Sequence, residues 1–237
     1  MQNIEDFEPE VTYLLPISIE YVEGGLDVLE TSRTIYVIIS TPLITNAVNL
    51  NGRYYKIPFE ENESPLKFNQ LSYEARVRVH QFCGYEPYIS SVVGIEGVFL
   101  LRFGDVTIKP NQIQITGVGV ETTAPTELVT EKWYHFAAVF DGSNVKIYID
   151  GKLDVSKPAT ATVLDLRDEA MNRGFYIGRS YQGRLLNGDI SEVRVWNRAL
   201  TQKEILNNMC GVRPTSAGMM AYWRFNESAG ELVQDVK

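Results

Sequence analysis

The sequence has few of the side chains on which most metal and catalytic sites depend. Its 237 residues include two cysteines and two histidines, too few for a cysteine-type zinc site at any standard ligand spacing. Cys83 and Cys210 are compatible with free thiols or, in an oxidising compartment, with one disulfide. A Gly-x-Ser-x-Gly elbow, a phosphate-binding loop and a dinucleotide fingerprint are also missing. These absences argue against zinc, serine-hydrolase and nucleotide-dependent enzymes.

Basic residues and long apolar runs are scarce too. The chain has 22 Lys and Arg against 30 Asp and Glu, a net charge of -8, and residues 1–30 contain acidic residues but neither Lys nor Arg. Nucleic acids and anionic membrane surfaces attract basic proteins instead. No apolar run approaches the ~20 residues that span a bilayer. We therefore expect no nucleic-acid partner and no direct insertion into a membrane.

The first residues also lack a recognisable targeting signal. The stretch MQNIEDFEPE has neither the basic nor the apolar region of a signal peptide. The protein is then either cytosolic or a secreted protein whose leader is missing from this chain, and the residues alone leave both possibilities open.

The sequence is rich in the alternation typical of β-strands. In WYHFAAVFDGSNVKIYIDGKL (133–153), Val145, Ile147 and Ile149 alternate with polar residues, and Asp150-Gly151 predicts a tight hairpin turn. Strands are predicted near 46–50, 53–58, 73–82, 88–93, 97–103, 112–117, 133–140, 144–149, 174–178, 188–196 and 219–226. Turn residues recur between them, a pattern that favours an antiparallel two-sheet sandwich over βαβ units.

Two local segments depart from this pattern. In LTQKEILNNM, Thr201 followed by Glu204 forms a capping box, which predicts one short helix near 201–208. The opening residues 1–41 contain two strands, TYLLPISIEYV and RTIYVIIS, joined through Gly24-Gly25. Because two strands alone are marginal in water, we expect this hairpin to dock on the larger domain, 42–237, rather than to pair with a second chain. A monomer is therefore favoured.

The carboxylates do not form an evident hydrolytic pair. A glycosidase needs two carboxylates about 5–10 Å apart across a cleft, whereas Asp189 and Glu192 are three residues apart in a predicted strand and should point to opposite faces. His135 lies within an apolar strand and is interpreted as a core histidine with satisfied hydrogen bonds. We expect the protein not to be an enzyme.

Two regions carry residues suited to sugar binding. The loop GRSYQGRLLNGD (178–189) joins two strands, and recognition residues tend to lie on such loops. The second region is an outward sheet face on which Tyr148 and Trp196 alternate with Arg and Glu; aromatic rings suit the C–H faces of pyranoses, and charged groups suit their hydroxyls. The candidate ligand-binding residues are Arg179, Tyr181, Gln182, Arg184, Asn187 and Trp196.

Each region also has an alternative interpretation. The loop could be an ordinary solvated connection, and the outward face could be a ladder of cross-strand ion pairs beneath a loop or helix. Trp133 is placed in the core, where its loss should cost several kcal/mol of stability. Removal of Arg179 or Tyr181 should instead weaken binding and leave stability unchanged.

A calcium site is the remaining cofactor candidate. Calcium takes six to eight oxygen ligands, often from loops at the rim of a domain. Aspartates stand at or near predicted strand ends at Asp105, Asp141, Asp165, Asp168, Asp189 and Asp235. These positions allow one structural calcium ion, but no EF-hand pattern identifies its ligands.

The segments WYHFAAVFDGSNVKIYIDGKL, FYIGRS, LNGDISEVRVWNRALTQKEI and MMAYWRFNES follow one another along the chain. Together they resemble a laminin-G-like domain of the concanavalin A-like lectin and glucanase superfamily, and the resemblance covers roughly residues 43–237. It implies a jelly-roll β-sandwich and a non-catalytic module that binds glycan or protein, sometimes with a calcium ion at its rim. The Glu-x-Asp-x-Glu strand of glucanase relatives has no counterpart here.

The opening strands are similar to the end of a small sandwich domain found before laminin-G-like modules in glycan-handling surface lipoproteins of gut Bacteroidetes. Only the last strands of that domain are present, which implies a fragment or a shortened form. The resemblance implies an extracellular or outer-membrane location. The expected function is a carbohydrate-binding module for glycan capture, and the alternative is a structural or protein-interaction spacer.

Overall fold

The computed structural model describes residues 12–19, 34–40, 46–58, 67–166, 173–209, 211–226 and 233–237. The chain divides into two compact units, Met1–Ile44 and Thr45–Lys237. In the first unit, β1 (Thr12–Ser18) pairs antiparallel with β2 (Thr34–Ser40). The two predicted opening strands are confirmed, and the turn through Gly24-Gly25 lies outside the described residues. Docking of this hairpin and the monomeric state stay predictions.

The second unit contains fifteen of the seventeen strands described and one helix. The strands are β3 (Val48–Asn49), β4 (Tyr55–Ile57), β5 (Lys67–Phe68), β6 (Leu71–Gln81), β7 (Ser90–Ile95), β8 (Phe99–Asp105), β9 (Ile108–Gly117), β10 (Thr122–Glu127), β11 (Trp133–Phe140), β12 (Asn144–Ile149), β13 (Lys152–Pro158), β14 (Leu164–Asp165), β15 (Phe175–Ile177), β16 (Asn187–Trp196) and β17 (Met219–Trp223). The helix α1 (Gln202–Asn208) lies between β16 and β17. Among the described residues, no helical segment has the length and apolar character that crossing a membrane requires.

These strands form the predicted sandwich of two antiparallel sheets. One sheet has the order β10-β9-β8-β7-β15-β4, and the other has the order β13-β12-β11-β6-β16-β17, with β3 also paired to β16. Strands β14 and β5 pair separately. The fold class expected from the sequence, an all-β jelly-roll sandwich with one short helix, is confirmed.

The core lies between the two sheets and is held by aromatic contacts across them. The Phe103 ring of the six-stranded sheet meets the Phe136 ring of the seven-stranded sheet edge to face at 5.7 Å, and Tyr73 meets Phe99 in the same way at 5.1 Å. All four side chains are fully buried. Burial of each large apolar side chain is worth about 1.5–3 kcal/mol, so this inner layer fixes the positions of the loops at the sandwich ends.

Two edge strands were missing from the sequence prediction. Strand β10 ends the six-stranded sheet and contains Pro125, and β13 ends the seven-stranded sheet with mostly exposed side chains. An edge strand packs against few neighbours, so its sequence lacks the apolar alternation that identifies inner strands. The turn that joins β12 to β13 is correctly predicted, since Asp150 and Gly151 both have positive φ angles, 48° and 74°.

The predicted helix and its capping box are confirmed. The backbone N–H of Glu204 donates to the Thr201 hydroxyl at 3.3 Å, and the Glu204 carboxylate accepts the Thr201 backbone N–H at 2.8 Å. Ile205 is fully buried in an apolar cluster with Tyr148 and Trp196 on the outer face of the seven-stranded sheet. The helix therefore covers part of the face that the sequence offered as a binding surface.

Trp196 is a core residue and not a surface contact, so this part of the site prediction is wrong. Its side chain is 1% exposed, and Nε1 donates to Glu74 Oε2 at 2.8 Å. The Asn208 amide at the end of α1 donates to the same oxygen at 3.1 Å, and Arg194 Nη1 lies 3.6 Å from it. The alternative interpretation, ion pairs beneath a helix, describes this part of the face. His135 is buried there as expected, with Nε2 3.4 Å from Glu74 Oε1. Neither ring nitrogen makes a hydrogen bond of normal geometry to a described residue, so the expected satisfaction of this histidine is not observed.

Trp133, by contrast, is not in the core, so its predicted placement is wrong. It lies at the start of β11, is half-buried, and pairs with Arg78, whose guanidinium carbon is 5.2 Å from the ring centroid. Strand alternation from the inward-facing Phe136 places Trp133 on the outer face. Because the ring is partly solvated, its removal opens no core cavity.

A bulge in β16 overturns the expected separation of Asp189 and Glu192. The register shifts between Ile190 and Glu192, so Asp189 lies opposite Arg78 while Glu192 lies opposite Arg76. An extra residue in one strand reverses the alternation beyond it, so both carboxylates lie on the same face. Each has an arginine partner, at 2.6 Å for Asp189 and 3.8 Å for Glu192.

Candidate functional site

A groove of about 840 Å³ lies at one end of the sandwich. Its walls come from three connections: residues 51–52 before β4, the stretch 81–90 from the end of β6 to the start of β7, and residues 182–187 before β16. Register brings these connections together, because Gln81 lies opposite Asn187 and the Leu50 N–H donates to the Gly188 carbonyl at 2.8 Å. A side chain at Gly188 would place its Cβ 2.3 Å from the Arg78 carbonyl oxygen, so the close approach of β16 to β6 requires glycine.

The groove combines one exposed aromatic ring with many neutral polar groups. Tyr85 is 76% exposed at its rim, and Phe82 and Leu185 supply apolar wall. Amide side chains that can both donate and accept come from Asn51, Gln81, Gln182 and Asn187. Of the described residues that line the groove, Arg184 is the one with a charge.

Glu96 does not line the groove, but it holds the wall formed by residues 182–187 in place. Its Oε1 accepts from Arg184 Nη1 at 2.7 Å, and its Oε2 accepts the Gln182 backbone N–H at 3.3 Å. The Ser91 N–H also donates to the Arg184 carbonyl at 3.1 Å. These contacts hold the 182–184 segment against β7, so the groove wall is ordered before a ligand arrives.

The structure brings some of the predicted site residues together and separates others. Gln182, Arg184 and Asn187 line the groove. Arg179 instead lies over the ring of Tyr54, outside the groove lining, and Tyr181 is 46% exposed nearby in the same connection. Trp196 is beneath the helix, as described above.

The sequence prediction missed Tyr85, Asn51 and Gln81. A local signal for Tyr85 was available, since CGYEPY places an aromatic residue in a short Gly- and Pro-containing connection between two strands. Asn51 and Gln81 carry no such signal, because their role depends on strands that meet only in the folded sheet.

The aspartates considered for calcium have internal partners where they are described. Asp141 accepts the Asn144 backbone N–H at 2.7 Å and pairs with Lys146 at 2.6 Å. Burial alone would raise the pKa of Asp141, but Lys146 and these N–H groups hold it below its usual range. Asp105 pairs with Arg102, Asp165 with Lys67, Asp189 with Arg78, and Asp235 accepts the Tyr222 N–H.

No described group of three or more His, Cys, Asp or Glu side chains has the arrangement of a metal site. Asp168 lies outside the described residues, and calcium stays a prediction.

Cys83 is a free thiol in the structure, donating to the Tyr85 carbonyl at 3.3 Å. Cys210 lies outside the described residues.

A comparison of the sequence with profiles of protein families shows the superfamily to which this domain belongs. The profile of a laminin-G-like family, described as the concanavalin A-like lectin/glucanases superfamily, matches residues 51–206, which is more than half of the chain. The chain belongs to this superfamily. The match covers all three connections that form the groove, so the groove is part of the superfamily domain itself. No curated protein sequence matches the chain significantly.

Several solved structures are similar to this superfamily member. A candidate carbohydrate-binding protein from Bacteroides ovatus is 29% identical with a TM-score of 0.73, and the match covers 98% of this chain and 66% of that one. The chain thus spans about two thirds of the length of that relative. The heptameric SAP-like pentraxin of Limulus polyphemus is 14% identical with a TM-score of 0.51, over 81% of this chain and 95% of that one.

A carbohydrate-binding module has a similar fold. It is the CBM40 of the Ruminococcus gnavus IT-sialidase, bound to α2,3-sialyllactose, which is 13% identical with a TM-score of 0.50 over 70% of this chain and 97% of that one. At these identities the pentraxin and the CBM40 support the fold alone.

Proposed function

We propose that the protein is a non-catalytic carbohydrate-binding module that captures glycans outside the cell, secreted or on the cell surface. The observation that carries the proposal is the groove itself, in which the exposed ring of Tyr85 stands beside the amides of Asn51, Gln81, Gln182 and Asn187. The similarity to the Bacteroides ovatus protein supports the same function.

The chemistry of the groove matches the two surfaces of a sugar ring. An aromatic ring can pack on the apolar C–H face of a pyranose, while amides donate to and accept from its hydroxyls. Because Glu96 already orders the 182–184 wall, little conformational entropy is lost there on binding.

Hydrolysis of the bound glycan would need two carboxylates facing each other across the ligand. The described lining of the groove has no Asp or Glu. A binding role therefore fits the groove better than a hydrolytic one. The alternative role, a spacer or protein-interaction module on the cell surface, predicts no glycan affinity.

We expect Tyr85→Ala to weaken glycan binding about fivefold, since loss of one stacked ring is worth on the order of 1 kcal/mol. Thermal stability should stay unchanged because the side chain is 76% exposed. A glycan array identifies ligands, and calorimetry then compares the wild type with Tyr85→Ala, Tyr85→Phe and the distant surface control Leu153→Ala. Tyr85→Phe, which retains the ring, should keep most of the affinity.

Folded protein that binds nothing on a broad array would refute the lectin function and favour the spacer role. Glycan binding with unchanged affinity in Tyr85→Ala would show that the glycan binds outside the groove.

A second variant tests the ordering of the groove wall. Glu96→Ala should weaken the same binding severalfold although Glu96 does not line the groove, because Arg184 and the Gln182 N–H lose their anchor. Glu121→Ala, which removes an exposed carboxylate from another loop, serves as the charge-matched control. Equal affinities for the two variants would show that the wall does not need Glu96.

A further inference from the structure

Two cations on the outer face of the six-stranded sheet have no carboxylate partner among the residues that the structure describes. Arg179 follows β15, and Lys56 lies in β4. Of the contacts in the described part of the chain, theirs are with aromatic rings: Arg179 with Tyr54 and Tyr176, and Lys56 with Tyr176. We call these four residues the tyrosine–cation patch.

Strand pairing builds this patch. Tyr176 lies directly opposite Lys56 in the β15–β4 register, and both point outward because Phe175 belongs to the core and Ile57 packs against it. The Tyr54 and Tyr176 rings meet edge to face at 5.9 Å. The patch is thus fixed by two strands of the rigid sandwich.

A turn at Gly178 brings Arg179 back over the rings. Gly178 has a φ of +81°, and a Cβ there would come within 2.5 Å of Leu50 Cδ1. The guanidinium carbon of Arg179 then lies 4.5 Å from the Tyr54 centroid and 5.7 Å from the Tyr176 centroid. Contact with ring faces holds a guanidinium in place without using its N–H donors.

Arg179 differs in this respect from most of the other buried and half-buried arginines that the structure describes. Ion pairs with carboxylates are made by Arg76, Arg78, Arg102, Arg184, Arg194 and Arg198. Arg224 is also without a described carboxylate partner and lies over the Tyr222 ring, but its Nη2 donates to the Val212 carbonyl at 3.4 Å. In a protein with a net charge of -8, carboxylates are plentiful, yet none pairs with Arg179 or Lys56 in the described residues. An ordered guanidinium with unused donors is suited to a carboxylate or a sulfate.

The patch adjoins the groove. Arg179 Nη2 would lie 3.6 Å from a Cβ placed on Gly183, and Gly183 is part of the groove lining. We infer that the tyrosine–cation patch is a subsite for the acidic group, carboxylate or sulfate, of a glycan whose neighbouring sugar occupies the groove. The inference rests on the proposed function and adds the ligand class: acidic glycans are preferred over neutral ones.

Affinity electrophoresis and calorimetry with matched polysaccharides test this preference. Polygalacturonate against its methyl ester tests a carboxylate, and κ-carrageenan against its desulfated form tests a sulfate; neutral plant and host glycans complete the panel. We expect one acidic member to bind on the order of tenfold more tightly than its neutralised form. Added salt should reduce that preference.

Variants at the patch separate a binding role from a structural one. Arg179→Gln should bring the acidic-to-neutral affinity ratio close to one while leaving neutral binding in place, and Lys56→Gln should lower the ratio less. Arg213→Gln makes the same charge change at an exposed arginine beyond α1 and should leave the ratio unaltered.

The outcomes for the two proposals differ. Neutral glycans bound without any acidic preference, or a preference that survives Arg179→Gln, would overturn the subsite and leave the lectin function standing. No binding by any member of the panel would overturn both. An acidic-to-neutral affinity ratio that is lost in Arg179→Gln and retained in Arg213→Gln supports the subsite. The matched pair of polysaccharides that shows this preference identifies the bound group as carboxylate or sulfate.

Discussion

Trp196→Ala is expected to lower the free energy of unfolding by about 3–5 kcal/mol, among the largest effects of any single substitution in the chain. The ring is 1% exposed and packs with Tyr148 and Ile205 beneath the helix. Its loss leaves a cavity and also removes one of the N–H donors to the buried Glu74 carboxylate. Denaturant unfolding followed by circular dichroism measures the change.

Two matched variants show which part of the tryptophan matters. Trp196→Phe keeps most of the ring and loses the hydrogen bond, so it should cost about 1–3 kcal/mol. Trp133→Ala removes a half-buried ring from the same sheet and should cost about 1 kcal/mol. Similar losses for Trp196→Ala and Trp133→Ala would contradict the burial of Trp196 beneath the helix.

The second large effect concerns Glu74, the centre of the buried network under the helix. Glu74→Ala should destabilise the protein by about 3–5 kcal/mol, because Arg194, 1% exposed, loses one of its two ionic partners among the described residues and keeps Glu192. The N–H of Trp196 and the Asn208 amide also lose their acceptor. Glu74→Gln, which retains an oxygen, should cost about 1.5–3 kcal/mol.

The acid dependence of stability provides an independent test of this network. Burial by itself would raise the pKa of Glu74, but His135, Arg194 and Trp196 outweigh burial and hold it below the ordinary 4.5. A lowered folded-state pKa stabilises the protein above the unfolded value, and that stability is lost as the pH falls through the folded value. The stability difference between wild type and Glu74→Gln should therefore be constant near pH 6 and shrink below pH 4.5. A difference that grew on acidification would mean that Glu74 is protonated in the folded protein.

The connection between β15 and β16 contributes residues to both the groove and the tyrosine–cation patch. Residues 182–187 form a groove wall, and Arg179, a few positions earlier, reaches the rings of the outer sheet face. Gly183 lies between them. A ligand of more than one sugar could therefore contact both, with hydroxyls met by amides and an acidic group met by Arg179.

Local features of the chain were determined by the sequence itself. The Thr201 and Glu204 capping box, the Asp150-Gly151 turn and the alternation in β12 need only near neighbours, so they could be predicted correctly. The motifs around Trp133 and Trp196 identified the superfamily, because their order along the chain is itself a sequence property. The loop that carries Arg179, Arg184 and Asn187 was selected in the same way, from its polar side chains between two firm strands.

The burial of the two tryptophans was decided only by the tertiary structure. Trp133 begins β11 and Trp196 ends β16, both on the outward face, but α1 covers Trp196 and leaves Trp133 partly solvated. Alternation tells which residues share a face and not what lies over that face. The bulge beyond Ile190 likewise changed the phase of β16 and put Asp189 and Glu192 on one side.

The composition of the groove was likewise decided only by the tertiary structure. Asn51, Tyr85 and Asn187 are distant in sequence, and they meet because β16 lies between β6 and β3 in one sheet. Strand order in an antiparallel sheet depends on long-range backbone pairing, which leaves no local mark on the residues that it brings together. The sequence shows the chemistry of each residue, whereas the order of the strands determines which residues become its neighbours in the site.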